Sequence, residues 1–205
     1  RDRLRSRGLG DVYKRQIYCF SGDYLKNLCD GVQVCLNSNL SEIVTNLQRF
    51  EPNAMRVVPM IAQHLLQRIK IAASKNPDMT PAEAAKTVLG RNLNWMTSGG
   101  AYLDPILAEE FDKLGIMLRQ GYGMTEVSSA ATIAAGNVTK PGSVGIPMVN
   151  TVVSIFEPGT ETELPIGQRG EICICTPTAM KGYYNSSGYM GYVGGRWVLF
   201  ACERD

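Results

Sequence analysis

The sequence predicts an α/β fold in which a mostly parallel sheet is flanked by helices and is followed by a smaller, β-rich, barrel-like subdomain. Strand-like and helix-like segments that alternate along the chain indicate the first unit, and short alternating runs separated by glycine and proline indicate the second. With 205 residues, of which 44% are hydrophobic, the chain can bury a sizeable core. We therefore divide it into residues 1–16, 17–135, 136–187 and 188–205.

Four short strands are predicted in the α/β unit, at residues 31–36, 54–58, 94–98 and 116–120. Between them, apolar residues recur with helical spacing. One helix begins near Ser41, and its apolar face carries Ile43, Val44, Leu47 and Phe50. A second apolar stripe, indicating a second helix, consists of Ile61, Leu65, Leu66 and Ile69.

Two further helices are marked by their ends. Thr80 and Glu83 form a capping box with Pro81 at the first helical position, and Gly90 is placed to end that helix. The dipeptide Asp104-Pro105 begins the last helix, which Gly115 ends. Its expected apolar face consists of Ile106, Leu107, Phe111 and Leu114.

The β-rich unit contains two clear strand patterns, at residues 151–157 and 171–176. Their alternation of apolar and polar residues is typical of antiparallel or barrel-like structure. Beyond residue 188, glycines at 188, 191, 194 and 195 interrupt any period, so we assign no element there and expect a truncated end.

The basic character of the chain belongs to its first 16 residues. They carry six Lys or Arg against two Asp, so the remaining residues have a net charge of −2 within an overall +2. The body therefore shows no basic surface that would indicate a nucleic-acid partner. The hexapeptide at residues 11–16, DVYKRQ, resembles a translated transposon end, and we interpret the tail as a disordered assembly scar. A basic, solvated arm is the alternative.

The six cysteines include no pair with the C-x-x-C spacing of zinc or redox motifs, and the chain has one histidine. We interpret the cysteines as small apolar side chains in a reducing compartment and expect a cytoplasmic protein. No apolar run approaches the roughly 18–20 residues of a membrane span, so none is expected.

Two glycine-rich segments, at residues 98–101 (SGGA) and 121–126 (GYGMTE), each follow a predicted strand. Ligands of open α/β sheets bind at the carboxyl ends of the strands, where glycine allows close approach to backbone N–H groups. Tyr122 would offer an exposed ring for stacking, Thr125 a hydroxyl for a phosphate, and Glu126 an oxygen ligand for Mg²⁺. Two tight turns with a capping Thr and a solvated Glu remain the alternative.

These two segments, together with KPGSVGIP at 140–147 and GEICIC at 170–175 followed by MKGYYN at 180–185, resemble the adenylate-forming (AMP-binding) superfamily in sequence and in order. Its members include acyl-CoA synthetases, luciferases and the adenylation domains of peptide synthetases. The resemblance covers residues 17–185 and is closest to acyl-CoA synthetases. It implies that the chain is an internal fragment of such an enzyme, because the family's phosphate loop would precede residue 17 and its lysine-bearing domain would follow residue 205.

The resemblance implies roles for positions in the matched motifs. The residues that would contact ATP or AMP are Gly99, Gly100, Ala101, Gly121, Tyr122, Gly123, Met124 and Thr125. Tyr122 would stack on adenine. Gly100 and Gly145 would contact the acyl substrate. Thr125 and Glu126 would be catalytic, Thr125 at the α-phosphate and Glu126 as the Mg²⁺ ligand. The segment 196–205 departs from the W-x-H-T-G-D pattern that would supply a ribose-binding aspartate.

The implied activity is that of an AMP-forming acyl-CoA synthetase, with ATP, Mg²⁺ and CoA as cofactors or partners and a carboxylic acid, such as a long-chain fatty acid, as substrate. The fragment alone is expected to be inactive. Two alternatives remain open. One is an amino-acid adenylation domain, which would pass its product to the phosphopantetheine of a carrier protein. The other is a non-catalytic nucleotide-binding module.

Overall fold

The structure is a computed structural model that describes residues 17–37, 39–134, 140–184, 190–193 and 196–201. Its α-helices are α1 (Ile17–Cys19), α2 (Lys26–Cys29), α3 (Ile43–Phe50), α4 (Pro59–Lys75), α5 (Pro81–Leu89) and α6 (Pro105–Lys113). A π-helical segment, Phe20–Leu25, joins α1 to α2, and 3₁₀ turns lie at Leu40–Glu42 and Thr125–Val127. The strands are β1 (Ala54–Val57), β2 (Trp95–Ser98), β3 (Met117–Tyr122), β4 (Thr132–Ile133), β5 (Ile146–Pro147), β6 (Val152–Phe156), β7 (Glu171–Cys175), β8 (Met190–Val193) and β9 (Arg196–Ala201).

The first five strands form one sheet in the order β1-β2-β3-β4-β5. Its longer pairings, β1 with β2 and β2 with β3, are parallel, and the two-residue strands β4 and β5 extend it in the antiparallel sense. Helical connections between the parallel strands make this the expected α/β unit. The predicted mostly parallel sheet flanked by helices is confirmed.

A four-stranded antiparallel sheet follows, in the order β6-β7-β9-β8. The prediction of a smaller β-rich unit is confirmed, but its barrel-like form needs correction. The outer strands β6 and β8 do not pair with each other in the described part of the chain, so the sheet is open.

The main core lies between the parallel sheet and its helices. The fully buried side chains at its centre include Leu65, Ile69, Leu89, Met96, Phe111 and Leu118. Burial of large apolar side chains of this kind contributes roughly 1.5–3 kcal/mol each to folding. This core fixes the ends of β1, β2 and β3 relative to one another, which matters for the loops that follow them.

Local sequence signals explain where the helices begin. The Thr80 side chain accepts a hydrogen bond from the Glu83 N–H while the Glu83 carboxylate accepts one from the Thr80 N–H, so the predicted capping box at α5 is confirmed. Asp104 caps α6 by accepting from the N–H of Ile106. Two side chains expected on buried faces are exposed instead, Phe50 at 45% and Ile106 at 66%.

The strand predicted at residues 31–36 is wrong. Residues 32–36 have no regular secondary structure and pair with no strand in the described part of the chain, and Val32 and Leu36 are largely exposed. In contrast, strands β8 and β9 occur beyond residue 188, where the sequence pattern assigned no element. The expected scar at residues 1–16 and the boundary near 135 lie outside the described residues. None of the helices that the structure describes combines the length and the hydropathy of a membrane span.

Candidate functional site

The two glycine-rich segments leave the sheet at the same edge. Val57 aligns with Ser98 across the β1–β2 pair, and Ser98 aligns with Gln120 across the β2–β3 pair. The segment 99–101, which we call the Gly99 loop, and the segment 123–126, which we call the Gly123 loop, therefore leave the sheet at the same edge. Both lie at the carboxyl ends of parallel strands, as the sequence predicted, and this is where open α/β sheets bind ligands.

The Gly99 loop is held by its main chain and by one aromatic ring. The Gly99 N–H donates to the Val57 carbonyl at 3.2 Å, and Gly100 has a φ of 77°, a conformation that favours glycine. The Tyr18 ring covers Gly99 so closely that a Cβ on this residue would lie 2.8 Å from the ring atoms. The Tyr18 hydroxyl donates to the Thr97 carbonyl at 2.8 Å. Ala101 is exposed beyond this contact.

A charged pair lies behind the Tyr18 ring. The guanidinium carbon of Arg56 is 5.4 Å from the ring centroid, and its Nε is 2.8 Å from a carboxylate oxygen of Asp23. Burial raises the pKa of the Tyr18 hydroxyl above its ordinary value, although the Arg56 charge opposes the shift. Burial also raises the pKa of Asp23 to about 6, because desolvation of the carboxylate outweighs the attraction of Arg56.

Sequence reasoning did not find this cluster, because its members lie far apart in the chain. The one available signal was Arg56 itself, a cation within the short apolar strand β1. A buried or half-buried arginine usually has a partner, but the sequence does not tell which acid supplies it.

The Gly123 loop is held by close backbone packing. A Cβ on Gly123 would lie 1.7 Å from the carbonyl oxygen of Ser129, so only glycine fits there. The loop folds back on itself, since the Ser129 N–H donates to the Met124 carbonyl at 3.1 Å and the Ala131 N–H to the Tyr122 carbonyl at 2.9 Å.

The Tyr122 ring is half-buried, whereas we expected it to be exposed. Tyr122 and Met124 pack against a small apolar cluster of Val127, Ala131 and Ile174, the last of which belongs to β7. The remaining exposed part of the ring is what a stacked base could contact. Gly121 forms part of β3 and pairs with Ile133 of β4.

Thr125 and Glu126 begin the 3₁₀ turn that ends the Gly123 loop. The Thr125 side chain is exposed, and that of Glu126 is partly exposed. One oxygen of the Glu126 carboxylate, Oε1, accepts a hydrogen bond from the Tyr183 hydroxyl. The sequence predicted no role for Tyr183, although the motif MKGYYN at 180–185 contains it.

Gly145 lies against the same end of the sheet through β4. Its φ is 92°, and a Cβ would lie 2.1 Å from the backbone of Ile133 and Ala134. The Thr132 hydroxyl donates to the Val144 carbonyl at 2.9 Å and fixes this approach. The structure thus brings Gly145 near the β3 end. A cavity of about 80 Å³ lies here, lined by residues that include Leu103, Gln120 and Ala134. A shallow groove of about 870 Å³ lies away from both loops, beside α3 and α5.

The chemistry of the donor set fits a cation that is also held by a phosphate ligand. Within the described segments no three His, Cys, Asp or Glu side chains come together as a metal cage. The Gly123 loop offers the Glu126 carboxylate and, from the preceding residue, the Thr125 hydroxyl. Mg²⁺ is usually bound by one or two carboxylates together with substrate phosphates, so these residues fit such an ion only in the presence of a nucleotide.

Comparisons with known proteins identify the family of the chain. Residues 17–184 match the family described as AMP-binding enzyme. A probable 4-coumarate–CoA ligase 2 of Dictyostelium discoideum is 35% identical over 165 residues, which are 69% of this chain and 30% of that protein. The luciferin 4-monooxygenase of Photinus pyralis is 38% identical over 99 residues, which are 46% of this chain and 18% of that protein.

Solved structures share the fold. The anthranilate CoA ligase AuaEII, in complex with anthranoyl-AMP, superposes with a TM-score of 0.70 at 16% identity, covering 90% of this chain and 37% of that one. A long-chain-fatty-acid–CoA ligase from Archaeoglobus fulgidus superposes with a TM-score of 0.66 at 22% identity, covering 85% of this chain and 36% of that one. The chain thus spans about a third of the length of the first relatives it matches. On the match over residues 17–184, the chain belongs to the AMP-binding enzyme family.

Proposed function

We propose that the protein is an AMP-forming acid–thiol ligase of the acyl-CoA synthetase type. The observation that carries the proposal is that Thr125 and Glu126 lie on the Gly123 loop, which follows β3 at the same edge of the sheet as the Gly99 loop that follows β2. A phosphate-binding hydroxyl, a cation-binding carboxylate and a glycine-lined main chain at one sheet edge are what adenylation requires.

In the first step, a carboxylate oxygen of the acid attacks the α-phosphorus of ATP, and the bond to the β-phosphate breaks to release pyrophosphate. In this proposal the Thr125 hydroxyl donates to an α-phosphate oxygen, and Glu126 holds Mg²⁺. Bound Mg²⁺ would supply positive charge that offsets the charge of the phosphates. Tyr122 contacts adenine with the exposed part of its ring, and residues 99–101, 121, 123 and 124 shape the wall beside it.

In the second step, the sulfur of CoA attacks the acyl carbonyl carbon, and AMP leaves. No phosphorus–oxygen bond to pyrophosphate breaks in this step, so the charge that Glu126 helps to balance does not develop again. For the acid we propose an apolar carboxylic acid that enters past Gly100 and Gly145. Long-chain fatty acids are the first class to test, since two of the relatives and neighbours are named for them.

We also propose a cytoplasmic location. All the described cysteines are free thiols, in line with a reducing compartment: Cys19, Cys29, Cys35, Cys173 and Cys175.

Substitution Glu126→Gln tests the proposal, because it keeps the shape of the side chain and removes its charge. In the full-length protein that contains this chain, we expect acid-dependent pyrophosphate exchange to fall by about 10²–10³-fold, which corresponds to roughly 3–4 kcal/mol of transition-state stabilisation. Thioester formation from a synthetic acyl-adenylate and CoA should change little. Glu161→Gln is the matched control, because Glu161 is exposed and far along the chain from the loop.

Two results would contradict the proposal. The first is an unmodified protein that gives no pyrophosphate exchange with any acid of a panel that includes long-chain, aromatic and amino acids. The second is a Glu126→Gln variant in which both half-reactions slow by the same factor and the unfolding temperature falls. That pattern indicates a folding defect and would remove the evidence for a cation ligand.

A further inference from the structure

The Glu126 carboxylate is contacted from a part of the chain 57 residues away. The Tyr183 hydroxyl donates a hydrogen bond to its Oε1 atom. Tyr183 lies in the segment 176–184 that follows β7, and its side chain is 45% exposed. A hydroxyl that donates to an ionised carboxylate makes a charge-assisted hydrogen bond, which is stronger than one between neutral groups.

The segment that carries Tyr183 is hydrogen-bonded to residues 126–128, at the end of the Gly123 loop and in the turn after it. The Met180 N–H donates to the Glu126 carbonyl at 2.7 Å. The Thr178 hydroxyl donates to the Val127 carbonyl at 3.0 Å, and the Ser128 hydroxyl donates to the Thr178 carbonyl at 2.9 Å. These bonds fix the two backbones side by side, so the Tyr183–Glu126 contact is a defined geometry rather than an encounter of two exposed side chains.

Two further features determine where the Tyr183 ring points. Val127 and Ile174 are both buried in the small apolar cluster, so β7 anchors the loop directly before the segment begins. Gly182 has a φ of 138°, which an L side chain rarely adopts, and it turns the chain immediately before Tyr183. The second sheet and this glycine together place the hydroxyl at the carboxylate.

We propose that Tyr183 is a positioning residue that orients the Glu126 carboxylate toward the divalent cation of a bound nucleotide. The inference rests on the proposed function, because it needs Glu126 to be the cation ligand. The hydrogen bond to Oε1 leaves Oε2 available as a ligand and limits the rotation of the carboxyl group. Groups that orient a ligand in this way typically contribute 10–100-fold to metal affinity or activity.

Substitution Tyr183→Phe removes the hydroxyl and keeps the ring. In the full-length protein, we expect the Mg²⁺ concentration for half-maximal pyrophosphate exchange to rise about tenfold or more, with little change in thioester formation from a synthetic acyl-adenylate. An independent readout is the affinity for Mn²⁺ in the presence of a non-hydrolysable ATP analogue, measured by electron paramagnetic resonance. That affinity should fall by a similar factor.

Two control variants separate positioning from simple support of the loop. Tyr184→Phe removes the hydroxyl of the neighbouring tyrosine, which is 94% exposed, and should leave the cation dependence unchanged. Thr178→Val removes the hydrogen bond to the Val127 carbonyl without touching the Glu126 carboxylate. It should lower the unfolding temperature and leave the Mn²⁺ affinity nearly unchanged.

The proposal is overturned if Tyr183→Phe retains the cation dependence and Mn²⁺ affinity of the unmodified protein, or if Thr178→Val shifts both as strongly as Tyr183→Phe. The second result would assign the effect to the loop as a whole. A failure of the proposed function is distinguishable, because the unmodified protein would then show no acid-dependent exchange with any cation.

Discussion

The Gly99 loop and the Gly123 loop follow neighbouring parallel strands, yet they are stabilised in different ways. The Gly99 loop is covered by a side chain, Tyr18, whose ring lies against Arg56, the partner of the half-buried Asp23. The Gly123 loop is packed against backbone, with the Ser129 carbonyl so close that a methyl group would overlap it. Glycine is required in both places, but a flexible side chain can move aside and a hydrogen-bonded backbone cannot.

This difference indicates that the two loops respond to different perturbations. The support of the Gly99 loop depends on charge and therefore on pH. The support of the Gly123 loop depends on side-chain volume and on hydrogen bonds from the segment 176–184 that follows β7. A substitution or a pH change should therefore affect one loop and spare the other, and three measurements test this in order of decreasing expected effect.

The largest effect is expected for Gly123→Ala. The new Cβ would lie 1.7 Å from the Ser129 carbonyl oxygen, so the backbone of one segment must shift. We expect a loss of about 3 kcal/mol or more in the free energy of unfolding, measured by denaturant titration of the chain. Gly121→Ala is the control, because the nearest atom to its Cβ would be the Thr132 oxygen at 3.4 Å, and it should cost less than about 1 kcal/mol. Equal losses would refute the argument from close packing.

A smaller effect is expected for Gly99→Ala, because its Cβ would meet the Tyr18 ring at 2.8 Å and a ring can move. We expect the free energy of unfolding to fall by about 1–2 kcal/mol. The double substitution with Tyr18→Ala should cost less than the sum of the two single substitutions by about 1 kcal/mol, since the clash is then absent. Strict additivity in this cycle would show that Tyr18 is not what restricts Gly99.

The smallest effect is a pH dependence carried by Asp23. Its pKa is raised from 3.8 to about 6 by burial, so the folded state holds this proton more tightly than the unfolded state does. The stability from this group is therefore present below about pH 4 and is lost as the pH rises through 6. At 1.36 kcal/mol for each pKa unit, the largest contribution that Asp23 can make to the free energy of unfolding is about 3 kcal/mol. We expect about 1 kcal/mol, because the side chain is 31% exposed and solvent screens it.

The measurement is the difference in free energy of unfolding between the unmodified chain and Asp23→Asn, from pH 4 to pH 7. The unmodified chain should be favoured most near pH 4, and its advantage should decline toward pH 7. Asp78→Asn, at an exposed position, should show no such trend. If the unmodified chain instead gains stability over Asp23→Asn as the pH rises, the pKa of Asp23 is lowered by folding, and the attraction of Arg56 outweighs burial.

The parts of the fold that the sequence predicted are those with local signals. The capping box of α5 and strand β2 followed from a few adjacent residues, and both are confirmed. The strand at residues 31–36 is wrong because alternation shows only that a segment can pair, and no described strand lies beside it. Strands β8 and β9 were not predicted, because Gly191 interrupts the sequence pattern there, yet in the structure it lies in β8 and pairs with Val198.

The same distinction holds for the site. The placement of both glycine loops at one sheet edge could be predicted, since it follows from strand order alone. The contacts of Tyr18 with residue 97 and of Tyr183 with residue 126 could not, because they join positions 79 and 57 apart in the chain. The half-burial of Tyr122 also depends on a distant residue, Ile174 of β7. The roles of the loop residues toward ATP remain predictions.

The long-range ties of the Gly123 loop have a consequence for the order of folding. Contacts that close large loops form late, because the entropy of closing the loop is lost before the contact is gained. The parallel sheet and its helices can assemble from residues up to about 134, whereas Glu126 receives its hydrogen bond only after residues 178–183 have been synthesised and β7 has docked. A nascent chain should therefore resist proteolysis in its first sheet before the Tyr183–Glu126 contact can form.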